Sequence, residues 1–333
     1  MPDGRVAVLA SLNIDVTVLT PRIPAVGETI IGTEVSSSPG GKGGNQAVAL
    51  ARLGVDTTVI GCIGDDDNGR GYRAALHDEG LGSDHIRTVA GTATGAAFIT
   101  VDAAGSNSIV VVPGANAAVS TIDVDHAESA ISLSTVTLAQ LEVPLASITR
   151  AFAIAKLAGA ITVLNPAPAS LGLDAILANT DVFVPNEVEF VQVTGVSPDS
   201  DAEILRGSAK LFASGVRWVI VTLGENGAAL VGPEEVTRIP AFSVRATDTT
   251  AAGDSFVAGL VSVIAARGDL DRATMVSACE DGVQVAAWVV QRNGAQTSLP
   301  TRADVPLAVQ SVSGRCPGIR SDALATASLI LLC

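Results

Sequence analysis

Residues 248–268 read DTTAAGDSFVAGLVSVIAARG, with three small residues, Ala251, Ala252 and Gly253, set directly before an apolar run of helical composition. With no bulky side chain in the way, their N–H groups can converge on an anion at a helix N-terminus, where unpaired amides and the helix dipole both favour negative charge. Asp254 follows at the lip of that gap. An aspartate there could equally be a helix cap or first-turn acid, and the phosphate-sized gap before it is what points to chemistry.

Outward from this segment, from about residue 5, short β-branched apolar runs alternate with Ala/Leu-rich helical patterns, as parallel strands joined by crossover helices do. Candidate strands are 6–10, 58–62, 136–140, 161–165, 181–185 and 218–222. Helical patterns at 45–53, 69–79 and 145–158 end on Gly54, Gly80 and Gly159, where a left-handed residue closes a helix. The expected fold is α/β, a helix-flanked and mainly parallel central sheet. Two stretches break the rhythm, 14–37 and 94–113, where AAFITVD and SNSIVVVP flank the turn DAAGSN. They are expected to form a separate small antiparallel sheet, placed as a lid beside the polar motifs. The domain is expected to span 1–309, and the weakly periodic tail 310–333 has no assigned role.

A chain of 333 residues with 48% hydrophobic and 16% charged residues and 33 glycines has the composition of a compact protein rich in tight turns. A net charge of −14 argues against nucleic-acid or anionic-membrane partners, which need a basic footprint. A nucleotide is still admissible, because backbone amides and a bound cation hold phosphates locally. Cys62, Cys279, Cys316 and Cys333 are scattered, which suggests neither a zinc site nor a disulfide framework. His77, His85 and His126 show no metal-ligand spacing. The apolar run near the N-terminus is too brief for a secretory segment, and ASLILLC at the C-terminus is far short of a membrane span, so a cytoplasmic protein is expected.

Residues 36–54, SSSPGGKGGNQAVALARLG, carry four glycines and Lys42 into a helix whose first turn holds Asn45 and Gln46. A flexible backbone thus meets amide side chains able to fork around hydroxyl groups. The spacing is not that of a GxxxxGK[ST] loop, and taken alone the segment could be only a tight turn. Asn13 and Asp15, in SLNIDVT, and Glu142, after VTLAQL, follow strands at the end where open α/β sheets bind ligands. Each could instead cap a loop. Asn186 and Glu189, in VPNEVEF, share a helix face or form a capping box. Residues 221–230, VTLGENGAAL, read as a strand, a glycine-rich turn and a second strand.

In this order, GGKGGNQA and DTTAAGDSF resemble the paired motifs of the ribokinase-type (PfkB) family of sugar and nucleoside kinases, and the resemblance runs over about residues 5–307. SLNID, QLE at 140–142, LNPAPA at 164–169 and GAQTSLP at 294–300 are similar to the members that act on ribose. The resemblance implies transfer of the γ-phosphoryl group of ATP to the 5-hydroxyl of ribose, giving ribose 5-phosphate and ADP, with Asp254 as general base. It implies a β lid that closes over the sugar and contributes to a homodimer. Sugar contacts are implied for Asn13, Asp15, Gly41, Lys42, Gly43, Gly44, Asn45 and Glu142, with Asp254 beside them. Nucleotide contacts are implied for Asn186, for the run Thr222, Leu223, Gly224, Glu225, Asn226 and Gly227, and for Ala251, Ala252 and Gly253. Glu189 matches a position linked to Mg²⁺, which accompanies ATP. Asp248, Thr250, Val289, Arg292, Gly294 and Ser298 match those that hold an activating K⁺.

Two departures stand out. Gly44 occupies a position where the family usually has alanine, a change expected to be tolerated but to loosen the turn. The stretch 271–294 is a few residues longer than in ribose-specific members and leaves both Ala278 and Val283 open as the adenine contact. Competing readings are a family kinase for another sugar or a nucleoside, and a non-catalytic sugar or nucleotide sensor. Only 3% of residues are aromatic, which offers little platform for a base, and Asp254 with its preceding AAG run is intact. A nicotinamide dehydrogenase would need GxGxxG after the first strand, which is absent.

Overall fold

The computed structural model describes residues 4–305; the tail 310–333, with Cys316 and Cys333, lies outside the described residues. In chain order the elements begin with β1 (Arg5–Leu9), β2 (Asn13–Leu19), β3 (Glu34–Gly40), α1 (Lys42–Arg52), β4 (Asp56–Gly64), α2 (Asp67–Asp78), β5 (Ile86–Val89), β6 (Gly95–Val101) and β7 (Asn107–Val112). They continue with α3 (Thr121–His126), α4 (Glu128–Ser132), β8 (Val136–Gln140), α5 (Leu145–Ala158), β9 (Ile161–Asn165), α6 (Asp174–Leu177), β10 (Val182–Phe183), α7 (Glu187–Thr194) and α8 (Asp201–Ala213). The last are β11 (Trp218–Thr222), β12 (Ala228–Val231), β13 (Val236–Ile239), α9 (Ala252–Arg267) and α10 (Arg272–Val289).

Nine strands form the main sheet, in the order β13-β12-β11-β10-β9-β8-β1-β4-β5. It is parallel from β11 through β5, and β12 and β13 add an antiparallel edge. Alternation along β1 explains why the sheet is covered on both faces. Val6 and Val8 join a core with α1, α9 and α10, whereas Ala7 and Leu9 join a second core with α5, α7 and α8. A strand buried on both faces must be apolar throughout, which is why these runs do not alternate with polar residues. All six expected strands form. The shortest is β10, because Pro185 has no N–H to donate and the Asp181 carboxylate instead accepts from the Thr162 amide at 3.0 Å.

Helix α5 ends as expected on Gly159, in the left-handed conformation with φ 80°. A second sheet has the order β3-β2-β6-β7 and contains the two stretches that break the α/β rhythm. Its outer pairs are antiparallel, while β2 and β6 run parallel because the chain returns to the main sheet between them. One face of this sheet is open: Phe98, Val110 and Val112 share it and are 50%, 61% and 49% exposed, while Ile109 of the edge strand β7, on the opposite face, is 53% exposed.

Candidate active site

The carboxyl ends of the parallel strands face α1, the start of α9 and the first residues of the small sheet, and the polar motifs gather there. Helix α9 opens on a strained turn. Ala251 has φ 61°, and it is the one non-glycine residue of positive φ among the described residues. The Ala252 N–H is already committed to the Thr249 carbonyl at 3.1 Å, so the expectation that all three amides of the AAG run are free is corrected to two. The N–H groups of Ala251, Gly253 and Asp254 have no acceptor among the described residues. A Cβ on Gly253 would meet nothing within 4 Å, so packing does not require glycine there and the space outside the backbone is clear.

Asp254 does not cap α9, whose N-cap is Ala251 with no side-chain bond. Its carboxylate turns inward to α1 and is 8% exposed. Asn45 Nδ2 donates to Oδ2 at 2.9 Å, and Gln46 Nε2 donates to Oδ1 at 3.0 Å. Burial holds Asp254 above the usual carboxylate range, and Lys42 and the two amide donors oppose the shift. Asp15 is pushed up to about 7 by burial first, then by Glu142 and Asp254. Burial alone would lower Lys42, yet Asp254, Glu142, Glu189 and Asp15 outweigh it and hold its ammonium above the ordinary lysine value. One lysine among four carboxylates makes a pocket that favours bound cationic charge.

The glycine loop is shaped by close backbone approach. Gly41 has φ 82°, and a Cβ on Gly43 would collide with the Ala10 backbone. Glu142 Oε2 accepts from the Lys42 amide at 3.1 Å and from Ser11 Oγ at 2.6 Å, which fixes the loop to the end of β8. Gly44 does not loosen the turn. The hydroxyl of fully buried Tyr72, from α2, fills the room an alanine methyl would take and donates to the Gly40 carbonyl at 2.6 Å. Asn13 Oδ1 accepts from Asn116 Nδ2 at 2.7 Å, and Asn116 Oδ1 accepts from the Leu12 amide at 2.8 Å. Asn116 escapes sequence reading, since a lone asparagine in GANAAV carries no motif. Gln140 and Asn165, which lie behind Gln46, fall within the QLE and LNPAPA segments, but those segments give neither residue a role.

On the opposite side, Asn186 and Thr222 meet in an isolated parallel bridge. Asn186 and Glu189 form the capping box: Oδ1 accepts from the Glu189 amide at 2.8 Å, and the Asn186 amide donates to Glu189 Oε2 at 2.9 Å. Glu189 is nevertheless buried within electrostatic reach of Lys42 and Asp254. Burial holds it above its usual value, and its bond from the Asn186 amide and Lys42 oppose this. Between β11 and β12 the chain turns through Leu223 and Gly224, with Glu225 and Asn226 exposed and Gly227 buried. Ala278 and Val283 both lie in the hydrophobic core, so neither forms an open platform for a base.

The residues matched to a monovalent cation are partly brought together. Asp248 Oδ1 accepts from the Thr250 amide at 2.9 Å and from its hydroxyl at 2.7 Å, and Oδ2 accepts from the Gly294 amide at 2.7 Å. The Val289 carbonyl accepts from the Arg292 amide at 3.0 Å. The Arg292 guanidinium is turned away, stacked 3.6 Å from the Trp288 ring centroid, and Ser298 Oγ donates to the Ala295 carbonyl at 2.7 Å. Among the described residues no three His, Cys, Asp or Glu side chains gather as a metal site, and no helix is long and apolar enough to cross a membrane.

A buried carboxylate facing a glycine-and-lysine loop, at the mouth of free helix amides, is compatible with phosphoryl transfer, which depends on positioning and on stabilising negative charge. The model of the pfkB family of carbohydrate kinases matches residues 3–302. The chain belongs to that family. This pfkB-family kinase is 38% identical over 295 residues to the ribokinase of Haemophilus influenzae, covering 89% of this chain and 95% of that one. It is 37% identical over 299 residues to the bifunctional ribokinase/ribose-5-phosphate isomerase A of Fructilactobacillus sanfranciscensis; the match covers 90% of this chain and 55% of that relative's length. The solved structure of Arabidopsis thaliana ribokinase complexed with ribose and ATP aligns with a TM-score of 0.80 at 31% identity, over 92% of this chain and 98% of that one. The pfkB-family chain is an ATP-dependent carbohydrate kinase.

Proposed function

We propose that this kinase transfers the γ-phosphoryl group of ATP to the 5-hydroxyl of D-ribose, with Asp254 as the general base. The observation that carries the reading is the Asp254 carboxylate, buried, aimed inward by Asn45 and Gln46, and set beside unpaired amides at the start of α9. Its raised proton affinity suits a base that must take a hydroxyl proton as the new bond forms. The amides of Ala251 and Gly253 are placed to stabilise charge on the transferring phosphoryl, and burial makes such donors stronger than they are in water. Similarity to the H. influenzae ribokinase and to the Arabidopsis ribokinase complex supports ribose as the sugar.

Asp15, Asn45 and Glu142 would accept from sugar hydroxyls, with Asn13, Lys42 and the glycines at 41, 43 and 44 forming the walls. Asn45 is suited to this because its Oδ1 is buried without a partner among the described residues. The turn from Thr222 to Gly227, with Asn186, would hold the nucleotide. Mg²⁺ would neutralise the phosphates, and Glu189, a nearly buried carboxylate whose Oε2 alone is engaged, fits a position near that ion. The Asp248 carboxylate, which ties Thr250 to Gly294 by accepting from their amides, would supply the single negative charge beside loop carbonyls turned toward a large monovalent cation such as K⁺. The exposed apolar face of the small sheet would pair with a second copy to give a homodimer. The scattered cysteines suit a reducing cytoplasm.

The test is ATP consumption measured against ribose, deoxyribose, fructose and adenosine. Ribose is expected to give the highest kcat/KM, and a clear preference for any of the others would replace it.

A further inference from the structure

Behind Asp254 lies a row of buried carboxamides that belongs to no substrate-binding position. Gln46 Nε2, which donates to Asp254 Oδ1 at 3.0 Å, also donates to Asn165 Oδ1 at 3.1 Å, and its Oε1 accepts from Gln140 Nε2. Asn165 Nδ2 in turn donates to the Val184 carbonyl at 2.9 Å. A backbone carbonyl can only accept, so it dictates the orientation of every amide in the row. The Asn165 nitrogen must face Val184, its oxygen must face Gln46, and Gln46 must therefore turn its nitrogen toward Asp254. Gln46, Gln140 and Asn165 are all buried, and apolar residues of similar size would avoid the desolvation cost. What the amides supply is a fixed direction for a donor.

We infer that Gln46 is a positioning residue for phosphoryl transfer: an amide relay anchored on the Val184 carbonyl and passing through Asn165 holds the Asp254 carboxylate in one orientation and in its ionised form. The inference rests on the base role proposed above for Asp254. The charged groups facing Asp254 are Lys42 of α1, Glu142 after β8, Asp15 of β2 and Glu189 of α7. Three of these four are acidic: Glu142 pushes the proton affinity of Asp254 up, and Asp254 in turn pushes up those of Asp15 and Glu189, so the donors from Asn45 and Gln46 matter in keeping Asp254 charged. Donors to a carboxylate stabilise its charged form, and removing one raises its pKa. A base acts only when ionised, so the acid limb of the rate profile must then move to higher pH.

The experiment follows single-turnover phosphoryl transfer at saturating MgATP and ribose across the acid range, with unfolding midpoints measured for each variant. Gln46→Met is expected to move the acid limb upward by about one to two pH units, the equivalent of one hydrogen bond to a charged group. Asn165→Leu leaves Gln46 in place but free to flip, and is expected to give a smaller shift in the same direction. A purely structural role would lower the unfolding midpoint and the active fraction and leave the limb where it is. That result in either folded variant, with Asp254→Asn inactive, overturns the relay alone. Wild-type turnover in Asp254→Asn overturns the base role beneath it.

Discussion

Replacing Gly44 with alanine, the residue that the family resemblance leads one to expect there, should destabilise this protein, and the reason is Tyr72. A Cβ at Gly44 would overlap the Tyr72 hydroxyl and sit 3.1 Å from the ring carbon Cζ and 3.5 Å from Leu12 Cδ2. The hydroxyl cannot simply swing aside. Tyr72 is fully buried, donates to the Gly40 carbonyl at 2.6 Å and accepts from Gln296 Nε2 at 3.3 Å. Forcing one methyl into such a site costs about 1–3 kcal/mol. Tyr72→Phe removes the overlapping oxygen and loses its two hydrogen bonds, to the Gly40 carbonyl and from Gln296, each worth about 0.5–1.5 kcal/mol. In that background Gly44→Ala should cost little, so the double variant should be more stable than the sum of the singles by about 1 kcal/mol or more. Urea denaturation of the four proteins measures this directly. Additivity within about 0.5 kcal/mol, the behaviour of independent sites, would refute the steric argument.

Asp15 has its proton affinity raised to about 7, so its charged form is lost as pH falls through that value. KM for the sugar should therefore rise below about pH 7 while KM for ATP changes little, and Asp15→Asn should flatten the sugar profile; parallel changes in both constants would place Asp15 elsewhere. Arg302→Met leaves Asp281, 1% exposed and otherwise bridged by both guanidinium nitrogens at 2.8 and 3.1 Å, as an uncompensated buried charge. A loss of about 3–5 kcal/mol is expected in denaturation, and an unchanged midpoint would contradict it. Exchanging K⁺ for Na⁺ or a bulky organic cation at fixed ionic strength should reduce kcat through the loop that aims the α9 amides. Equal rates in all three salts would assign Asp248 to the turn it already stabilises.

Local physics made much of the molecule readable in one dimension. The apolar runs of β1, β8, β9 and β11 match the strands residue for residue or nearly so, because burial on both faces leaves a continuous hydrophobic signature. Helix ends fall at Gly54, Gly80 and Gly159, where positive φ favours glycine. Helix α1 starts earlier than its periodicity suggests, at Lys42, because its first turn is glycine and polar side chains directed to the site. The two polar motifs were legible because each is short and lies within a few residues of one helix start.

Composition, periodicity and glycine placement depend on neighbours along the chain, and they were enough for the α/β class and for the segments that form the small sheet. Partnership across the fold was not readable in that way. Asn45 meets Asp254 across 209 positions, Gln46 meets Asn165 across 119, and Tyr72 reaches Gly40 across 32. Whether Asp254 caps its helix or turns inward, and whether Gly44 slackens a turn or admits a tyrosine, depends on which side chain arrives from elsewhere. Those answers exist only once the sheet order brings α1, α2 and α9 together, because a hydrogen bond or a steric overlap is set by distance in space and leaves no periodic trace in the chain.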